Sequence, residues 1–137
     1  MKLQGRIIHG DGLGRKIGYP TVNFDRRSCR PSAVMHGVWA CRVRVGKHAP
    51  YRSEASGMGS IKSLKSIKFG GWLKGVAVIG VDNKVEVHIL DFNKDIYGWY
   101  GEVELVKELR LLKKYKDATL LRAQIKKDIA NARSILS

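Results

Sequence analysis

Between Gly10 and Asn23 the chain places glycines at 10, 12, 14 and 18, the cations Arg15 and Lys16, and the polar pair Thr21 and Asn23. Glycines let backbone N–H groups approach an anion without obstruction by Cβ, and turns of this kind form anion-binding concavities. Thr21 and Asn23 stand two apart, so on an extended strand their side chains share a face. Each offers a neutral oxygen, which suits a hard cation such as magnesium that keeps its waters and leans on substrate phosphates. A cradle, a cation and metal oxygens within one segment point to a nucleotide-phosphate site.

The elements that must hold these residues are mostly short strands. Leu3, Ile7 and Ile8 begin one, and residues 22–24 suggest another. Residues 37–45 alternate, with Arg42 and Arg44 on one face and Cys41, Val43 and Val45 on the other, the period of a half-buried strand. Residues 75–81 and 84–92 read as two strands around a tight turn at Asp82-Asn83, and the second puts Glu86, His88 and Leu90 on one face. Residues 101–109 alternate again, with Val103, Leu105 and Leu109 inward. Short strands separated by turn residues predict a closed antiparallel barrel. From Asp117, a suitable N-cap, Leu121, Ile125, Ile129, Ala132 and Leu136 recur at helical spacing, which predicts an amphipathic helix against the outside of that barrel.

Composition sets the outer bounds. At 137 residues with a hydrophobic fraction of 44%, the chain fits one folded domain, 1–137. Within it, 46–74 reads as an atypical loop or insertion, and Ile61, Leu64 and Ile67 among lysines suggest a helical turn or irregular flap. No apolar run approaches the roughly 18 residues of a membrane span, and the N-terminus lacks a signal-peptide core. Two cysteines without metal-ligand spacing suit a reduced, cytoplasmic setting. The formal net charge of +14 favours polyanionic partners, and between residues 42 and 74 eight Lys/Arg face the single acid Glu54. A basic barrel that binds nucleic acid is therefore the rival reading, although Phe69 and Trp72 are the only nearby candidates for stacking.

Three separated segments, in order, resemble the riboflavin kinase family, including the kinase half of bacterial bifunctional FAD synthetases. HGDGLGRKIGYPTVNF is similar to the family's glycine-rich turn and G-(F/Y)-P-T-A-N motif. VEVHILDFNKDIYG resembles its strand carrying Glu-x-His, and ELRLLKKYKDATLLRAQIKKDIANAR resembles its Leu-Arg segment and final helix. The resemblance implies a six-stranded antiparallel Greek-key β-barrel with a C-terminal α-helix packed outside. It also implies ATP-dependent phosphorylation of the riboflavin 5′-hydroxyl to FMN. With the chain beginning at the kinase-like strand, FMN and not FAD is the expected product.

Carried over residue by residue, the resemblance makes Glu86 the catalytic base. Gly10, Arg15, Thr21, Ile89, Asp91 and Tyr97 become nucleotide contacts, and Thr21 and Asn23 metal ligands. Arg110, Lys113 and Tyr115 fall on the flavin side, where the cations would meet the FMN phosphate and the ring would lie against the isoalloxazine. His88 would orient Glu86 or fill a polar position. The metal implied is Mg2+, with Mn2+ or Zn2+ as alternatives, and the partners are riboflavin/FMN and ATP/ADP, handled by a monomer with no membrane contact. Two departures stand out: Leu112 occupies a place where the family usually has an acid, and the loop before Glu86 is short. They keep open a third reading, a regulatory protein that binds FMN without making it.

Overall fold

The computed structural model describes residues 1–10, 12–47 and 67–137. Seven strands form in chain order: β1 (Lys2–Ile8), β2 (Val22–Phe24), β3 (Gly37–Lys47), β4 (Lys68–Phe69), β5 (Leu73–Ile79), β6 (Val85–Ile89) and β7 (Tyr100–Arg110). The helix α1 (Leu13–Lys16) is a single turn, a 3-10 turn spans Ala33–Met35, and the long helix α2 covers Ala118–Leu136. Strands β3, β5, β6, β2, β1 and β7 pair antiparallel in that order, and β7 returns to β3 to close a six-stranded barrel. The two-residue β4 adds only to the end of β3, through Gly46–Phe69 and Lys47–Lys68. Because β3, β5 and β6 follow one another and β7 comes back beside β3, this part of the barrel is a Greek key.

Alternation decides which side chains fill the barrel. In β1 Leu3, Gly5 and Ile7 point inward while their neighbours face solvent. They meet Phe24, Val43, Val87 and Val103 in one interior cluster. Strand β3 is apolar on both faces: Cys41, Val43 and Val45 point in, whereas Val38 and Ala40 point out, beneath Ala132 and Leu136 of α2. The helix is thus seated on the outer face of β3 and β5, as its amphipathic spacing predicts. Asp117 caps it, accepting a hydrogen bond from the Leu120 N–H at 2.9 Å.

Three expectations need correction. Leu109 does not point into the barrel but packs against the α2 cluster. Register shifts in the β3–β7 ladder, between Val38 and Trp39 and between Ala40 and Cys41, turn the end of β7 over. The β5–β6 connection is a loop over residues 81–83 rather than a two-residue turn. Asn83 takes φ +66°, its N–H reaches the Gly80 carbonyl at 2.9 Å, and the Gly80 N–H reaches the Lys84 carbonyl at 3.0 Å. That is a turn followed by one left-handed residue, a conformation asparagine tolerates. Finally, the ends of the 46–74 stretch are strand, in β3, β4 and β5. The turn or flap read over Ile61 and Leu64 lies outside the described residues.

Candidate active site

The 12–18 turn is built by its glycines. Gly12 (φ +75°) leads into α1 and Gly18 (φ +95°) leads out of it, both in the left-handed region where other residues are strained. The chain then doubles back, with the Tyr19 N–H on the Gly14 carbonyl at 2.7 Å. On one side of the turn lies a cleft of about 510 Å³, whose lining includes Gly10, Gly12, Arg15, Thr21, Asn23 and Tyr97. Asn23 is buried at 9% exposure, and a side chain at Gly10 would run into its amide. Gly10 is therefore required by close approach rather than by backbone angle. At the rim, Tyr97 stacks on His9 with centroids 3.7 Å apart and planes 17° from parallel. The Tyr97 N–H is fastened to Asp95 Oδ1 at 3.1 Å.

On the other side of the turn is a second cleft of about 210 Å³, between the outer barrel wall and the first half of α2. Val38, Val76 and Val78 make its floor, Ile17 and Tyr19 one side, and Tyr115, Leu121 and Ile125 the other. The last turns of α2 press onto β3 through Ala132 and Leu136, whereas Leu121 and Ile125 are only half-buried; the helix stands off here and leaves the cleft.

Thr21 lines both clefts. Asn23 is directly opposite Glu86 in the β2–β6 ladder, so the two side chains project from one face, and Glu86 lines the smaller cleft. The carboxylate therefore faces the smaller cleft, one ladder position across from a residue of the larger, with Thr21 shared between the two. His88 holds that junction in shape: its Nδ1–H donates to the Pro20 carbonyl at 2.7 Å, which fixes the proton on Nδ1 and fastens the loop carrying Thr21. Tyr19 meets the His88 ring edge-on at 5.7 Å.

Not every expected residue reaches the clefts. Ile89 is inside the barrel, at 4% exposure. Asp91 is drawn away to α2, where Arg133 grips both carboxylate oxygens at 2.9 and 3.0 Å and holds the carboxyl below the usual carboxylate range. Neither lines either of these two clefts. Arg110 does line the smaller cleft, but its Nε and Nη2 edge is taken by buried Asp128 at 2.8–3.1 Å. Gln124 donates to the same carboxylate at 2.9 Å. A buried carboxylate demands such pairing, so that edge of Arg110 is committed to the wall, while its Nη1 donates to the Leu111 carbonyl at 3.3 Å. Its guanidinium carbon and the Lys113 ammonium each lie 5.7 Å from the Tyr115 ring centre.

Three contributors escaped the sequence reading. His9 opens the glycine-rich segment but had been given no role. The floor valines were signalled by the unbroken apolar runs at 37–41 and 75–79, which imply strands buried on both faces. Asp128 was signalled by its place on the helix stripe with Leu121, Ile125 and Ala132, where a charge needs a buried partner. Phe69 and Trp72, the sequence's stacking candidates, both neighbour Arg44, whose guanidinium carbon lies 4.6 Å from the Phe69 ring centre and 4.7 Å from that of Trp72.

The two clefts thus share Thr21, one lined mainly by polar groups and glycines and the other mainly by apolar side chains. Residues 1–136 match the Flavokinase family, described as riboflavin kinase. The chain belongs to the riboflavin kinase family. It is 32% identical over 136 residues to the bifunctional riboflavin kinase/FMN adenylyltransferase of Haemophilus influenzae, covering 99% of this chain and 39% of that protein. It thus spans under half the length of this curated relative. Among solved structures, a riboflavin kinase from Trypanosoma brucei shares the fold, with a TM-score of 0.64 at 21% identity, covering 98% of this chain and 78% of that one. A chain described as a macrolide-efflux protein from Streptococcus pneumoniae superposes with a TM-score of 0.67 at 26% identity, covering 96% and 38%. Among the described residues no helix is long and apolar enough to cross a membrane.

The riboflavin kinase family uses ATP and a divalent metal. The residues present fit such a metal if phosphate completes the shell. Thr21 and Asn23 bring neutral oxygens to one cleft, and the described residues contain no cluster of three or more His, Cys, Asp or Glu that would hold an ion alone. Nitrogen- and sulfur-rich sites favour zinc, whereas oxygen donors favour magnesium.

Proposed function

We propose that the chain transfers the γ-phosphoryl group of magnesium-ATP to the 5′-hydroxyl of riboflavin, giving FMN and ADP. The observation that carries this reading is Thr21 on the wall common to both clefts, with Glu86 of the smaller cleft in register beside Asn23 of the larger. The larger cleft takes the nucleotide. Gly10 and Gly12 leave room for the phosphates, Arg15 bonds their oxygens, and Tyr97 on His9 offers a ring face to the base. Thr21 and Asn23 would hold the magnesium, which would neutralise charge on the phosphates. The smaller cleft takes the flavin, with its ring system on the valine floor and against Tyr115, and Lys113 as the cation of that wall.

Glu86 accepts the proton of the 5′-hydroxyl as its oxygen attacks the γ-phosphorus. The bond from that phosphorus to the bridging oxygen breaks, and the electron pair leaves with ADP. Positioning and charge stabilisation supply most of the rate in such reactions. Ligand pockets start near ~300 Å³, so the smaller cleft, at about 210 Å³, widens when flavin enters. A monomer working in the cytoplasm belongs to the same reading, in keeping with two free, buried thiols.

The test is incubation of the purified chain with riboflavin, ATP and magnesium, followed by chromatographic separation of flavins. FMN should accumulate only when all three are present. Flavin binding without FMN formation would favour the regulatory reading instead.

A further inference from the structure

The 12–18 turn serves both clefts at once. Gly12 and Arg15 face the larger one, while Leu13, Gly14 and Ile17 face the smaller. Any shift of this turn therefore reshapes two binding sites. Its far end is held by an unexpected partner: the Arg122 Nε–H, from the first half of α2, donates to the Ile17 carbonyl at 3.2 Å across 105 positions of sequence. Ile17 is the C-cap of α1, where the carbonyls of the last turn lack intrahelical donors and a basic side chain is a suitable cap. The neighbours of Arg122 on its helix, Leu121 and Ile125, wall the smaller cleft. Arg122 itself is exposed and lines neither cleft.

We propose that Arg122 is a positioning residue that couples the two clefts. By tying the 12–18 turn to α2, it makes the nucleotide on one side and the flavin on the other favour the same placement of the turn. This rests on the kinase reading above. Each ligand then tightens the other by one common factor, since coupling between sites is reciprocal. Without the tie, either ligand can settle its own side of the turn without informing the other.

The experiment measures riboflavin affinity by flavin fluorescence quenching with and without saturating magnesium-ADP, and magnesium-ADP affinity with and without riboflavin. The parent, Arg122→Ala and Arg122→Lys are compared. The parent should show reciprocal tightening of about five-fold or more. Arg122→Ala should bind each ligand alone within about two-fold of the parent yet lose the tightening, with an unchanged melting temperature because the side chain is exposed. Arg122→Lys should recover part of it, since an ammonium can also donate to a carbonyl. A purely structural role would lower the melting temperature and both separate affinities together. The proposal is overturned if Arg122→Ala keeps the parent's coupling, if the parent has none, or if lysine restores nothing. A parent that binds neither ligand would overturn the kinase reading itself, and this inference with it.

Discussion

Glu86 and Asn23 are paired across two strands yet serve different clefts, and that placement makes their substitutions separable. Glu86→Gln keeps size and hydrogen-bonding capacity but cannot take a proton. It should lower kcat by about 10²–10⁴-fold while flavin affinity and the KM for ATP stay near the parent's, as steady-state assays and quenching titrations would show. Near-normal turnover would remove Glu86 from the role of base. Gly10→Ala makes the opposite demand: the new methyl must displace the Asn23 amide, which is buried and hemmed in. The expected result is a KM for magnesium-ATP raised by about ten-fold, on the order of 1.4 kcal/mol, with riboflavin affinity unchanged. Thr21 and Asn23 were legible in the sequence because a period of two and a preceding glycine turn are local signals. The Arg110–Asp128 pair was not, because a guanidinium read as facing a phosphate gives no hint of a carboxylate 18 residues away that also claims it.

At the scale of elements, that same pair fastens the end of β7 to the middle of α2. Removing one partner strands a buried charge, which costs about 3–5 kcal/mol. Asp128→Ala should therefore lower the urea midpoint strongly, and raise the riboflavin KM because Arg110, released from its carboxylate, is no longer held beside Tyr115. Replacing both, as Arg110→Met with Asp128→Leu, should recover most of the stability, since apolar partners of similar volume suit the site. Stability that stays low in the double variant would show that the pair does more than satisfy its own charges. Strands and the long helix were readable from their periods of two and 3.6. What the period could not show was where it breaks: the register shifts in β7 send Leu109 to the helix side, and the single turn α1 has too few residues to display any periodicity.

For the whole molecule, the closing pairing of β7 with β3 joins strands that the sequence keeps more than fifty residues apart, and no local pattern announces it. Only the ordered set of motifs, read as a resemblance, predicted a barrel of six. Closure has a measurable consequence, because it seals Cys29 and Cys41 inside, at 1% and 0% exposure. Burial pushes the two thiols from the ordinary 9.0 up to about 11 and about 12. Both should resist thiol reagents at pH 8 and react only as fast as the barrel opens, so labelling should accelerate in step with the unfolded population on adding urea. The raised values also fix the sign of a pH effect. The folded chain holds both protons more tightly than the unfolded one, so this stabilisation is intact below pH 9 and fades as pH climbs through about 11 to 12. Urea midpoints should fall across that span. Cys41→Ala should start lower, having lost packing, but fall less steeply, because one of the two protons no longer matters. Equal slopes in the two proteins would mean that other groups, not the sealed thiols, govern the alkaline loss.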